Sequence, residues 1–187
     1  MPQSMRFLVL AGFVTAMTAV GALTSFTIPL FSVVPFTLQV LGVYLAGGLL
    51  PPRWAFMSMI TYVLLGVLGL PVFAEGSHGI GILLGPFGGY LWAYPPAAWL
   101  IARLAGPTAQ RWRLTLGLLV GILVIYLGGM IGIMVTTGAS LTHAVLEGVA
   151  PFILWDMMKA AIALPIIARA RAFAMERWGA DSYQNAS

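Results

Sequence analysis

The stretch PFILWDMMKAA, Pro151 to Ala161, sets an acid and the chain's only lysine three residues apart inside an otherwise apolar run. On a helix of 3.6 residues per turn, Asp156 and Lys159 stand about 60° apart, so both project from one face and can converge on one object. Each costs roughly 2.5–3.5 kcal/mol at the centre of a bilayer on insertion scales. That cost demands a use. A carboxylate only accepts hydrogen bonds and an ammonium only donates them, so the pair fits a ligand offering adjacent N–H donors and a carbonyl acceptor. Ureido and lactam groups have that pattern. A structural ion pair joining two helices is the competing reading. It is disfavoured because apolar residues of similar volume usually stabilise a fold as well.

Aromatic side chains around the pair, Trp155, Tyr90, Trp92, Phe73 and Tyr62, are candidates to wall a cavity for a flat apolar ring system. Trp and Tyr are also common at membrane interfaces, which is the competing reading for each. Thr37 and Gln39 add polar groups, with bonding to backbone as their alternative. Two Gly/Pro-rich segments, Ile28 to Gln39 and Gly69 to Tyr90, break helical periodicity. Irregular backbone at membrane depth is tolerated only where protein or water covers it, so both are expected as cavity walls or lids, or else as ordinary loops. Pro165 frees the carbonyl of Ala161 and is expected to kink the helix just beyond the pair.

The elements that must position these groups follow from composition. The 187 residues are 60% hydrophobic and 7% charged, with mean hydropathy +0.98, the profile of a polytopic membrane protein. Periodicity and punctuation predict an all-α single domain with helices near 7–28, 33–50, 54–74, 81–104, 114–136 and 150–169, each close to the ~17–25 residues that a bilayer requires. The tail 179–187 is expected to be disordered. The uncharged run from Phe7 to Pro52 is too long for a signal-peptide core, so the N-terminal segment is expected to stay on the protein.

Charge supplies an orientation. With a cytoplasmic N-terminus, Arg6, Arg53, Arg103, Arg111, Arg113, Arg169, Arg171 and Arg177 all fall inside, while Glu75, His78, His143 and Glu147 fall outside. Both termini are then cytoplasmic in the cell membrane. Asp156 lies about 8 Å below the outer end of the last helix at ~1.5 Å per residue, a depth that suits a pocket entered from outside.

Several functions are excluded. The net charge of +4 comes from single basic residues between apolar runs, not from a tract that tracks nucleic acid. With no cysteine, disulfides and thiolate metal sites are ruled out. A P-loop needs lysine followed by Ser or Thr, and Lys159 precedes Ala160, so any ATP-derived energy must come from another protein. Neither H-E-x-x-H nor G-x-S-x-G occurs, and His78 and His143 fall in expected outer loops, where a lone His is usually a solvated surface group, so an enzyme is disfavoured.

Small residues mark two helix faces. Gly117, Gly121, Gly128 and Gly132 form one stripe of the fifth expected helix, read as packing inside this subunit. On the first, Ala11, Thr15, Thr18 and Ala22 form a stripe with Gly12, Ala16 and Ala19 beside it, read either as internal packing or as a face that docks another membrane subunit.

The motifs VPFTLQ, GLPVFA, GPFGGY and WDMMKA occur in the order and approximate spacing of the BioY family, the biotin-binding S components of energy-coupling-factor transporters, and the resemblance spans about residues 6 to 170. It implies a six-helix S-component fold, an outward-facing biotin pocket whose lid is the loop between the first two helices, and energy from a separate membrane scaffold, the T component, with ATPase subunits. It implies no cofactor beyond the transported biotin. Carried over residue by residue, the D-x-x-K pair falls on Asp156 and Lys159, and G-P-x-G-G-Y falls on Gly85 to Tyr90, which brings Gly88 and Tyr90 into the site beside Gln39, Thr37, Phe73 and Trp155. The docking face falls on Ala11, Gly12, Thr15, Ala16 and Ala19. Two positions depart from the family pattern: Phe87 stands where Thr is common, and Trp155 where Gly is common. Two alternatives stay open at this point, an S component for another small vitamin and a structural or assembly subunit.

The arginine distribution makes a direct prediction. Cysteines introduced as Ser77→Cys and Ser140→Cys should react with impermeant reagents from outside only, and labelling from the cytoplasmic side alone would reverse the topology.

Overall fold

The structure, a computed structural model, describes residues 3–27, 34–108 and 110–178. Its helices are α1 (Gln3–Leu23), α2 (Gln39–Leu49), α3 (Pro52–Val67), α4 (Ile80–Leu84), α5 (Gly88–Ala105), α6 (Arg111–Thr137), α7 (Leu141–Gly148) and α8 (Ile153–Trp178), with a short 3-10 turn at Ala74–Gly76. Among the described residues the sole β feature is an isolated antiparallel bridge between Phe26 and Phe36. The fold is all-α, as the sequence predicts.

Local chemistry explains where the helices stop. Pro52 opens α3 at a position where its missing N–H is no loss. α6 ends on Gly138 in the left-handed region, whose N–H closes onto the Met134 carbonyl. Ser140 caps α7 by accepting from the His143 N–H at 3.3 Å.

Six principal helices, α1, α2, α3, α5, α6 and α8, alternate in direction. At one end the Phe7 and Trp54 rings meet, and Arg171 of α8 donates to the Gly106 carbonyl in the α5–α6 turn. At the other, Thr27 bonds Glu75, the Phe26 ring meets Trp155, and Tyr90 bonds the Gly148 carbonyl. Arg6, Arg53, Arg103, Arg111, Arg113 and Arg171 therefore gather at the first end, opposite Glu75, His143 and Glu147.

Boundaries differ from the sequence expectation for physical reasons. The second expected helix begins only at Gln39, because Phe36 is extended and pairs backbone with Phe26. The third ends at Val67, ahead of Gly69 at φ 103°, and the fourth breaks at Gly85–Phe87 around Pro86 into α4 and α5. α7 was not anticipated, and it meets α8 at a 50° bend. By length and apolar content α1 and α6 each suffice to cross a membrane and the bent α7–α8 pair suffices together, whereas α2, at 11 residues, spans only about 16 Å. The tail 179–187, the expected end of the first helix at residue 28 and the expected start of the second at residue 33 lie outside the described residues.

Outward faces are apolar. Leu116, Leu119, Leu123, Leu127, Ile131 and Val135 form an exposed stripe along α6, and Leu154, Met158, Ile162, Ile166 and Phe173 form one along α8. Large apolar stripes of this kind suit a hydrocarbon solvent.

Inside, glycines set the helix spacing. A Cβ at Gly89 of α5 would strike the Gly128 carbonyl of α6, and one at Gly132 would meet the Gly89 backbone at 2.9 Å. Gly117 and Gly121 lie against Ile101 of α5. The α6 stripe is thus internal packing. Gly12, by contrast, borders open space: a Cβ added there would meet nothing within 4 Å. Gly89→Ala should therefore cost about 1–3 kcal/mol through overpacking, while Gly12→Ala should leave thermal unfolding in detergent unchanged or slightly raised. Equal melting temperatures for both variants would show that α5 and α6 are not in backbone contact.

Candidate functional site

Asp156 enters one turn into α8, where its backbone N–H bonds the Phe152 carbonyl at 2.8 Å. A carboxylate in the first turn is favoured by the positive end of the helix dipole, which partly offsets its burial. Asp156 is 3% exposed and Lys159 5%. Lys159 Nζ donates to Asp156 Oδ1 at 2.7 Å, and the hydroxyl of Tyr126, on α6, donates to Oδ2 at 2.8 Å. Both carboxylate oxygens are therefore engaged from different elements, and the ammonium keeps two further protons to donate.

The pair opens onto a cavity of about 440 Å³ enclosed by α2, α4, α5, α6, α8 and the two irregular segments. That size falls in the range of small-molecule sites. Its wall is mainly aromatic and aliphatic: Phe73, Phe87, Tyr90, Tyr94, Ile125 and Phe152 surround the polar group formed by Asp156, Lys159 and Gln39. Thr27, Thr37, Glu75 and Ser77 complete the more exposed rim.

Each wall is held by contacts that the backbone breaks permit. Phe26 and Phe36 exchange two backbone hydrogen bonds, at 3.0 and 2.8 Å, and stack their rings 5.4 Å apart; Phe36 then packs on Phe152, 4.6 Å away. The connection between α1 and α2 is so joined to the start of α8, although residues 28–33 lie outside the described residues. On the other side Glu75 sits at φ 58°, an uncommon conformation for a residue with a side chain. It is secured where its N–H meets Ser25 Oγ at 2.7 Å and its carboxylate accepts from Thr27 at 2.6 Å. Tyr90 Oη donates to the Gly148 carbonyl at 2.6 Å and ties α5 to α7.

Of the residues expected at the site, the structure brings together Asp156, Lys159, Tyr90, Gln39, Thr37 and Phe73. Trp155 and Gly88 do not line the cavity. Trp155 precedes Asp156 by one residue, about 100° around the helix, and so faces elsewhere. Its ring meets Phe26 edge-on and lies 5.7 Å below the Lys159 ammonium, a cation–π contact that supports the site from behind. Gly88 instead lets α5 start hard against α4, where a Cβ would strike the Leu83 carbonyl. Trp92 is exposed, with its indole N–H on the Leu83 carbonyl, and Tyr62 stands behind Gln39, outside the wall.

Tyr126, Tyr94 and Phe152 were missed. A lone phenol in the charge-free interior of α6 was a legible signal, since polar groups at that depth are seldom idle. Tyr94 follows Tyr90 by four residues, which puts it on the same helix face. For Phe152 no sequence signal distinguished it from ordinary core.

The first helix divides. Ala11 and Thr15, expected on the docking face, are buried instead: Thr15 bonds the Ser58 carbonyl at 3.0 Å, and the Ser58 hydroxyl reaches the Ala11 carbonyl at 3.3 Å. Thr18 and Ala22 are buried with them. Gly12 and Ala16 remain exposed and Ala19 half-buried, on the neighbouring stripe.

Comparison with known proteins is consistent throughout. The model of the family described as the BioY family matches residues 1–176. A probable biotin transporter from Pyrococcus horikoshii is 43% identical over 154 residues, covering 82% of this chain and 89% of that one. A biotin transporter from Thermotoga maritima is 38% identical over 174 residues, covering 92% and 100%. Among solved structures, the crystal structure of the S-component for biotin from an ECF-type ABC transporter superposes with a TM-score of 0.83 at 31% identity, covering 91% of this chain and 93% of the other.

Proposed function

The chain belongs to the BioY family, and on that premise we infer that it captures biotin and carries it across the cell membrane as the substrate-binding subunit of an energy-coupling-factor transporter. The observation that carries this reading is the buried polar group in an aromatic cavity. Biotin joins a ureido head, with two N–H donors and one carbonyl acceptor, to an apolar bicyclic ring and a flexible acid tail. Asp156 accepts from a ureido N–H, Lys159 donates to the ureido oxygen, and Phe73, Phe87, Tyr90 and Phe152 cover the ring faces. Lys159 is assigned to the head group because the pair converges there, one turn of helix holding both.

The chain holds no nucleotide-binding motif, so a T-component scaffold and ATPase subunits supply the energy. The scaffold docks on the α1 stripe of Gly12, Ala16 and Ala19, where small side chains admit a partner helix without side-chain ordering. Six membrane passes with the arginine-rich end in the cytoplasm turn the cavity toward the outside.

Calorimetry tests the capture site. Removing one partner leaves the other charge buried and unpaired, so Asp156→Asn and Lys159→Met should each cost biotin binding more than the ~0.5–1.5 kcal/mol of a neutral hydrogen bond. The double variant should not recover affinity, and single variants that bind like the parent would make the pair structural. For docking, Ala16→Trp should reduce co-purification of ATPase subunits from native membranes while biotin affinity stays unchanged, whereas Thr15→Trp should impair folding itself; an Ala16→Trp loss of both properties would mean internal packing.

A further inference from the structure

Gln39 is 4% exposed and faces the cavity, yet an amide side chain is ambiguous until its environment decides which end carries the acceptor. Three linked groups decide it. The Val72 carbonyl is an acceptor only. Tyr62 Oη lies 2.7 Å from it and must spend its single proton there. The phenol oxygen is then left as an acceptor toward Gln39, 2.5 Å away, and only the amide nitrogen can donate to it. The reversed amide would set two acceptors against one proton, leaving one buried and unsatisfied.

Tyr62 does not line the cavity whereas Gln39 does, so the amide nitrogen of Gln39 is committed outside the lining and Oε1 is the end left without a side-chain partner. Among the described residues, the side-chain bond of Gln39 is this one alone, and its backbone N–H rests on Thr37 Oγ1 at 3.3 Å. An amide whose acceptor end is set by Tyr62 thus belongs to a residue that lines the same cavity as Asp156.

We propose that Gln39 Oε1 is the acceptor for the second ureido N–H of the ligand, and that Tyr62 is a positioning residue which holds that acceptor in place through the Val72 carbonyl. Rested on the biotin reading above, this completes a three-point recognition: Asp156 takes one N–H, Gln39 the other, and Lys159 the oxygen between them. It also gives Tyr62, which touches no ligand, a role in specificity. Without the phenol, the amide of Gln39 is free to flip and present a donor to a donor.

Affinities are measured by calorimetry for biotin and for its two mono-N-methyl ureido isomers, on the parent chain, Tyr62→Phe, Gln39→Leu and the double variant. Gln39→Leu and Tyr62→Phe should each weaken biotin roughly two- to tenfold, the span of one neutral hydrogen bond. Tyr62→Phe should have no further effect once Gln39 is Leu, because the phenol acts only through that amide. One N-methyl isomer, lacking the N–H that Gln39 reads, should be insensitive to both substitutions, while the other keeps the loss. A purely structural Tyr62 would weaken all three ligands equally and add to Gln39→Leu, and that pattern overturns the proposal. Gln39→Leu leaves the Tyr62–Val72 bond intact, so it remains informative if Tyr62→Phe destabilises the fold. If biotin binds and Asp156→Asn weakens it while the Gln39 and Tyr62 variants bind as the parent does, only this inference fails. If the parent chain does not bind biotin, the functional reading fails first.

Discussion

The arrangement depends on one buried carboxylate. Asp156 stands at 3% exposure in a molecule whose outer surface is hydrocarbon-like, and an ion there is tolerable only if every neighbour compensates it. Compensation comes from three directions: the Lys159 ammonium on Oδ1, the Tyr126 hydroxyl on Oδ2, and the first-turn peptide dipoles of α8. Two of these lie on α8 itself, but Tyr126 is a whole helix away. The carboxylate therefore registers α8 against α6, and any rotation of either helix breaks a charge-assisted bond in a low-dielectric interior.

That registration constrains the rest of the bundle. α6 lies against α5 through Gly89, Gly128 and Gly132, with no side chain between the backbones at those positions. α5 in turn presents Tyr90 and Tyr94 to the cavity and meets α2 where Gly47 lies on Ile101. α2 carries Gln39. The cavity is thus bordered by helices whose mutual distances are set by glycine, and these distances vary little because backbone cannot be compressed. The breaks in regular structure occupy the opposite, more exposed side, where the Phe26–Phe36 bridge and the Glu75 turn supply walls without needing a helix to reach the full depth.

The separation of rigid and irregular parts also separates tasks. Asp156, Lys159 and Gln39 sit on helices, which hold a side chain in place more tightly than loops do. The rim groups Thr27, Glu75 and Ser77 sit on connections joined by side-chain bonds such as Thr27 to Glu75. The face of α1 that meets α3 is polar and hydrogen-bonded through Thr15 and Ser58, while Gly12 and Ala16, one residue further round, are small and exposed. One helix therefore belongs to the core on one side and to the surroundings on the other.

Composition and periodicity by themselves determined that this is a helical membrane protein, which ends carry the arginines, and that Asp156 and Lys159 share a face. These are consequences of solvent and of helix geometry, which act on local sequence. Gln39, Thr37, Phe73 and Tyr90 were also legible, as polar or aromatic groups beside breaks in periodicity. Tertiary structure alone decided that Ala11 and Thr15 face inward and Ala16 outward, because two adjacent small-residue stripes look alike until a neighbouring helix covers one. It decided that Trp155 lies behind the pair, because the Phe26 ring that meets it and the cavity it does not line are both built from distant parts of the chain. And it decided which end of the Gln39 amide bonds Tyr62. That depends on a proton given by Tyr62 to Val72, with Gln39 23 positions before Tyr62 and Val72 10 after it, and no local pattern encodes the direction of a hydrogen bond between distant groups.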